Sequence, residues 1–364
     1  MKAPEPQYAA ENRARPHVVS QQRESKLGQD VKAAERLVEI WRGDFMESQH
    51  LGHAVVCNTK GEIVESWGNP DEVILPRSSA KMLQALPLVE SGAADAAGLT
   101  TEQLALACAS HEGAAIHTDR VRAWLGDLGL GNDDLCCGPQ MPDDRPAKKA
   151  LICADARPCK IHNNCSGKHA GFLTLAQHLG ADQADYVNPD HAVQQAAKLA
   201  FEEVTGMDSP GYGIDGCSAP NHATSLHGMA LAMATFAGAQ SGRSARDTAM
   251  VRLREAMMLH PELVAGEGRA CTEIMRALPG RVAVKTGAEA FFIAILPEQG
   301  LGVALKINDG STRASECAIA AILARLGVAD AADPMVKKRL NPRQLNFAGL
   351  DTGEIRPSSA LWSA

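Results

Sequence analysis

Alternating apolar and polar positions mark both ends of this chain, and helical spacing fills the stretch between. Near the start, "HAVVCNTKGEIVESWGNP" (53–70) holds two alternating, β-branched runs that flank Thr59-Lys60-Gly61. That pattern predicts a hairpin. The preceding segment, "VKAAERLVEIWRGDFMES" (31–48), is ambiguous. Its first half fits a helix, while "LVEIWRG" alternates and fits a strand equally well. Towards the other end, "RVAVKTGAEAFFIAILPEQGLGVALKIND" (281–309) reads as three consecutive strands with a turn at Glu298-Gln299-Gly300. "SECAIAAILARLG" (315–327) follows as a closing helix.

From about residue 78 to 280 the apolar positions recur with helical spacing, broken by Gly, Pro and Asn loops. "SAKMLQALPLVESG" is one segment, which Pro87 should kink or shorten. "TEQLALACAS" (101–110) is another, with Thr101 expected as its cap. "HTDRVRAWLGDLGL" (117–130) is amphipathic. "KHAGFLTLAQHLG" (168–180) and "HAVQQAAKLAFEEVTG" (191–206) are helices ended by Gly180 and Gly206. "ARDTAMVRLREAMMLHP" (245–261) is a long helix stopped by Pro261. Strands at both ends around a helical middle predict an α+β fold, an antiparallel sheet built from both chain ends with an inserted helical region. The sheet part covers about 37–77 and 281–327 and the helical part about 78–280, together one catalytic domain over 31–364. Residues 1–30 are polar, carry Pro4, Pro6 and Pro16, lack periodicity, and read as a flexible tail.

Composition narrows the function classes. Hydrophobic residues make up 45% and charged residues 22% of 364, ordinary globular usage. The net charge is −7 and aromatics are only 4%, with no basic block, so a nucleic-acid partner is disfavoured. The most apolar stretch, "GMALAMATFAGA" (228–239), is too short to span a bilayer. The N-terminus has no apolar signal region, which leads to the expectation of a cytoplasmic protein without a membrane partner. Ten cysteines in a reducing compartment are then buried thiols, metal ligands or reactive groups more often than disulfides.

The candidate chemistry begins at "PRSSAKMLQALP" (76–87). Ser78 and Lys81 are three residues apart, which places them on one helical face. A serine at a helix start lies in a field that favours its alkoxide and disfavours a nearby ammonium, so the pair can act as nucleophile and base. The bland reading is a capping serine with a solvated lysine. "VAVKTGAEA" (282–290) shifts the balance, because Lys285-Thr286-Gly287 on a strand accompanies Ser-x-x-Lys in penicillin-recognising serine enzymes. In "ACASHEG" (107–113), Ser110 falls where a second hydroxyl that pairs with Lys285 belongs. Its bland reading is a helix C-terminal serine.

Two loops carry thiols: "IHNNCSGKHAG" (161–171), with Cys165 and Lys168, and "GIDGCSAPNHA" (213–223), with Asp215 and Cys217. Neither has zinc-finger spacing. A metal held across both loops by Cys165, Cys217 and a third donor is one reading, with His162 and His169 as orthodox third donors and Lys168 an unusual one. Two buried thiols beside a pocket is the other. "VAGEGRACTE" (264–273) adds Glu267, Arg269 and Cys271 on a glycine-rich turn that offers N–H groups to an anion but lacks a Walker lysine.

Taken together, "RSSAK", "CASHEG", "NNCSGKHAG", "IDGCSAPN", "HPELVAGEGRACT" and "VKTGAEA" resemble the asparaginase II family of the rhizobial type, in order, from about Leu37 to Gly349. The resemblance implies a fold related to serine β-lactamases and glutaminases. It implies hydrolysis of L-asparagine to L-aspartate and ammonia by two Ser–Lys tandems, Ser78 with Lys81 and Ser110 with Lys285. It also implies a homodimer, zinc on Cys165, Lys168 and Cys217, and Asp215 and Cys271 near the substrate. Arg77 and Lys285 are candidates for the substrate carboxylate. Rival readings are a hydrolase of glutamine or another small amide, a penicillin-recognising serine enzyme, and a non-enzymatic zinc- or redox-responsive cysteine protein.

Overall fold

The computed structural model describes residues 32–362. The expected tail, residues 1–30, lies outside the described residues. Glu35–Arg42 (β1) resolves the ambiguous N-terminal segment as a strand. Leu37, Val38, Glu39 and Ile40 are all buried: β1 has neighbours on both edges, the helix Thr312–Arg325 packs on it, and Glu39 accepts from the Trp41 and Arg356 side chains. The hairpin expected around Thr59-Lys60-Gly61 joins Phe45–Asn58 (β2) to Ile63–Trp67 (β3). Near the other end come Ala283–Gly287 (β4), Phe291–Leu296 (β5) and Leu301–Ile307 (β6), the three strands the alternation predicts.

Arg343–Leu345 (β7) and Asp351–Pro357 (β8) complete an antiparallel sheet ordered β7-β8-β1-β2-β6-β5-β4, with β3 also paired to β2. The pairing of β2 with β6, in which Val55 faces Ala304, closes the sheet across the whole inserted region. The final two strands escape the hydrophobic pattern. The inward positions of β8 are Gly353, Ile355 and Pro357, so two of its three buried residues do not count as apolar alternation.

The inserted region is helical. Pro87 splits its first segment into Lys81–Gln84 and Leu86–Glu90, after a 3-10 turn at Arg77–Ala80. Thr100, not Thr101, caps the helix Thr101–Ala107, and its N–H donates to Gln103 Oε1 at 2.7 Å. The helices Leu226–Gly238 and Thr312–Arg325 both pack on the sheet, and every residue of β5 is buried between its two covered faces. Two short ladders stand apart from this sheet: Val73–Ile74 pairs with Thr224–Ser225, and Tyr212–Ile214 with Pro220–His222. Among the described residues, no helix is long and apolar enough to cross a membrane.

Gly302 sets how closely Leu226–Gly238 approaches the sheet. A Cβ there would overlap the helix backbone at Ala234 N and Ala230 O, and neither atom can swing aside. Gly302→Ala is therefore expected to destabilise the protein by about 1–3 kcal/mol through overpacking. The readout is a lower urea midpoint at unchanged m-value, and a midpoint equal to wild type would contradict this packing.

Candidate active site

β4 is the end strand of the sheet, and it brings Lys285-Thr286-Gly287 against the Arg77–Ala80 turn. The fit needs a glycine: a Cβ at Gly287 would lie 2.6 Å from Pro76 O and 3.0 Å from Ser79 Oγ. Ser79 fastens the contact by donating its hydroxyl to Lys285 O at 3.0 Å. Arg77 adopts a left-handed backbone conformation, φ +51°, which costs a non-glycine residue roughly 1–3 kcal/mol. Its neighbours hold it there. Its N–H donates to Asn221 Oδ1 (3.2 Å), Asn221 Nδ2 donates to its carbonyl (3.3 Å), and Nε and Nη2 both donate to Asp215 Oδ1 (3.0 and 2.8 Å). Arg77, expected to hold a substrate carboxylate, thus spends two donors on Asp215.

Ser110 lies just beyond the helix Thr101–Ala107, where the backbone turns into "SHEG". Its N–H donates to Val264 O at 2.9 Å, and the His111 N–H donates to Asn164 O at 3.2 Å. The His111 ring is buried and stacks on His117 with 4.8 Å between centroids. Gly113 N donates to its Nδ1 (3.1 Å), and Ser166, whose hydroxyl donates to Ile161 O, accepts from its Nε2 (2.9 Å). Burial holds this imidazole well below its ordinary pKa, so it acts as a neutral strut that fixes the Ser110 loop.

The centre of the site is one hydroxyl between two buried lysines. Lys81 and Lys285 are 1% and 0% exposed, and Ser110 Oγ lies 2.9 Å from each Nζ. Lys81 also donates to Ala109 O and, at 3.5 Å, to Asn164 O. Three acceptors therefore surround its Nζ, one for each N–H of an ammonium. Lys285 donates to Thr286 O at 2.7 Å. Its pKa is lowered from 10.5 to about 7, first by burial and then by the charge of Lys81. As a neutral amine, Lys285 gives one N–H to Thr286 O and offers its lone pair to the Ser110 proton.

The structure thus places Ser110 against Lys285, and it also turns Lys81 towards Ser110. Ser78 sits half-buried in the 3-10 turn one residue after the strained Arg77, and its Oγ makes no hydrogen bond among the described residues. The helix expected to open at Ser78 is too short to build an appreciable dipole, so burial and like charge are what shift a lysine here. Cys271 is buried beneath β4, where the Thr286 N–H donates to its Sγ at 3.2 Å. Burial raises its pKa and keeps it a thiol.

Beside this centre the two thiol loops meet. Lys168 Nζ donates to Cys217 Sγ at 3.0 Å, and all three of Cys165, Lys168 and Cys217 are buried. Cys165 donates its S–H to Asn164 Oδ1 at 2.9 Å. The adjacent Cys165 and then the Lys168 charge drive the Cys217 thiol far below its usual pKa, whereas the neighbouring Cys217 and burial drive Cys165 up. Burial works against the Lys168 ammonium, but the Cys217 thiolate outweighs it and raises the pKa. His162 turns to Cys159 instead, 3.1 Å from its Sγ, and His169 Nδ1 lies 2.7 Å from the Tyr186 hydroxyl. Among the described residues, no three His, Cys, Asp or Glu side chains form a metal-ligating group, so a metal at this place would need the lysine.

Sequence reasoning passed over Ser79, Asn221 and the His111–Ser166 strut. Ser79 and Asn221 stand inside the quoted motifs, but nothing local marks them, because their partners are 206 and 144 residues away.

The sequence matches the family model described as L-asparaginase II over residues 38–357. No curated protein matches it. Among solved structures it is similar to a putative beta-lactamase from Bacteroides dorei, with 12% identity and a TM-score of 0.39 over 70% of this chain and 84% of that one. It is also similar to a class C beta-lactamase in complex with cefoxitin, with 14% identity and a TM-score of 0.36 over 79% of this chain and 93% of that one. A third similar structure is titled Mglu in its native form, with 11% identity and a TM-score of 0.40 over 72% of this chain and 61% of that one.

The lysine centre generates a direct expectation. Nitrogen-15 NMR of the lysine side chains should show one Nζ that half-titrates near pH 7, absent in Lys285→Met. Lys81→Met removes a positive neighbour, so the remaining titration should move to higher pH. No lysine titrating below pH 9 would contradict the burial argument.

Proposed function

The chain belongs to the L-asparaginase II family, and on that premise we propose that it hydrolyses L-asparagine to L-aspartate and ammonia through an acyl-enzyme formed on serine. The observation that carries this reading is the Ser110 hydroxyl held between two buried lysines, one with a pKa of about 7. Such a group accepts and returns a proton at neutral pH, which is what amide cleavage asks of a general base.

In this reading Ser78 attacks the side-chain amide carbon. Its carbonyl accepts the Lys81 N–H, which sets the two residues on one turn, and the pinned, left-handed Arg77 fixes that turn. Its proton leaves along the chain of amines. Ser110 passes its proton to neutral Lys285, Lys81 passes one to Ser110, and the freed Lys81 lone pair takes the proton from Ser78. The same chain, run backwards, protonates the departing ammonia, and water then cleaves the ester. The Arg77–Asp215 pair holds the Ser78 turn. Asp215 Oδ2, which takes no hydrogen bond among the described residues, is the acceptor for the substrate's α-ammonium. A second reading has Ser110 itself attack, and its 2.9 Å approach to both amines favours it.

We also propose zinc on Cys165, Lys168 and Cys217. The donor chemistry fits: Cys217 is held deprotonated, and the Cys165 thiol and the Lys168 ammonium each surrender a proton to become ligands. A cation there would fix both thiol loops and add positive charge beside Asp215. The chain's own residues still carry every proton step.

Ser78→Ala and Ser110→Ala are each expected to lower ammonia release from asparagine on the order of 10³-fold or more. Rapid quench and peptide mapping should find the aspartyl group on Ser78. Its appearance on Ser110 selects the second reading, and full activity in both variants ends the serine mechanism. For the metal, elemental analysis of the purified protein should find about one zinc per chain, lost in Cys217→Ser. Equal zinc in wild type and variant would dismiss this donor set.

A further inference from the structure

The proposed substrate carries its α-carboxylate two carbons from the amide that is cleaved, so a cation must stand close to the nucleophile. The basic side chains at the centre are already committed. Lys81 and Lys285 hold Ser110, and Arg77 is bound twice by one oxygen of Asp215. A further arginine borders the site from the glycine-rich loop that precedes the helix Ala270–Ala277.

We propose that Arg269 anchors the α-carboxylate of the substrate, and that Glu112 holds its guanidinium ready. This inference rests on the asparaginase reading above. Four observations carry it. Val264, where the loop begins, accepts the Ser110 N–H at 2.9 Å, so loop and catalytic hydroxyl form one unit. Gly266, at φ +129°, lies so close to Glu112 that a Cβ there would fall 2.7 Å from Oε2. Glu112, two residues after Ser110, meets Arg269 Nη1 only at 3.5 Å, the outer limit of a hydrogen bond. Finally, the Arg269 charge reaches the site, for it is among those that depress Lys285.

The two arginine–carboxylate pairs therefore differ in kind. Arg77 makes short bonds that leave its fork engaged. Arg269, with a side chain about one third exposed (32%), makes a single long bond and keeps the rest of its fork free of hydrogen bonds among the described residues. A planar fork with open donors is the chemical match for a carboxylate. Glu112 is the weaker counter-ion, since burial and the neighbouring Asp143 and Asp144 carboxylates all raise its pKa. An incoming α-carboxylate replaces one long contact with a bidentate one.

The test compares two amides that differ only in that group: L-asparagine, and 3-aminopropanamide, which keeps the ammonium and the amide but lacks the carboxylate. Wild type should favour asparagine strongly in kcat/KM. Arg269→Gln should lose about 10- to 100-fold on asparagine, mostly in KM, with 3-aminopropanamide within about two-fold of wild type. Arg269→Lys should restore part of the loss. Product inhibition gives an independent readout: L-aspartate should inhibit the Gln variant at least 10-fold more weakly, while β-alanine inhibits both alike. Equal losses on both amides, or an undiminished preference for asparagine, would overturn the assignment of Arg269. A wild-type protein that releases no ammonia from asparagine would end the asparaginase reading, and this inference with it.

Discussion

Two lysine side chains buried around one hydroxyl set the terms for everything else in this protein. Removing an ammonium from water costs several kcal/mol, and a second positive charge alongside adds repulsion. The molecule resolves the conflict by leaving one amine neutral. The fall of Lys285 from 10.5 to about 7 corresponds to about 5 kcal/mol of bias towards its uncharged form. That cost is tolerable only where the backbone supplies acceptors, and it does so through Ala109 O and Asn164 O on one lysine and Thr286 O on the other. An amine that gains or loses a proton near neutral pH is thereby held inside the protein.

The architecture reads as the means of maintaining that arrangement. Lys285 arrives on the end strand of a sheet that both chain ends build, Lys81 on a short helix from the inserted region, and Ser110 on a loop braced by His111 and Val264 O. Elements from three parts of the chain meet within hydrogen-bond distance because they are fastened at several points. The Ser79 hydroxyl grips Lys285 O, Gly287 yields the space, and Asn221 with Asp215 holds Arg77 in a conformation it would not adopt alone. Strain at Arg77 beside Ser78 is balanced by partners more than a hundred residues distant, which is why the turn persists.

The neighbouring thiol–amine cluster repeats the theme with opposite sign. At the lysine centre, burial and a like charge neutralise an amine. At Cys165, Lys168 and Cys217, a thiol neighbour and an amine favour a thiolate and keep the ammonium. The two clusters adjoin, since Lys81 donates to Asn164 O at 3.5 Å, one residue before Cys165.

Much of this was already legible in the order of residues. Apolar, β-branched runs of strand length in "HAVVC", "EIVESW" and the stretch from 281 to 309, bounded by turn residues, pointed to five strands and the α+β arrangement, because such runs suit a sheet covered on its faces. The spacing of Ser78 and Lys81, and Lys285-Thr286-Gly287 on a strand, singled out chemistry from local pattern alone. Sequence left open whether residues 31–48 form helix or strand, and missed β8, because Gly353 and Pro357 are buried without being apolar side chains. Only the tertiary structure decided which lysine is neutral, that Lys81 turns to Ser110, and that Arg77 is occupied by Asp215 while Arg269 is not. The reason is physical: a pKa and an ion pair depend on depth of burial and on charges brought from distant positions, and neither is a property of a residue's neighbours in the chain.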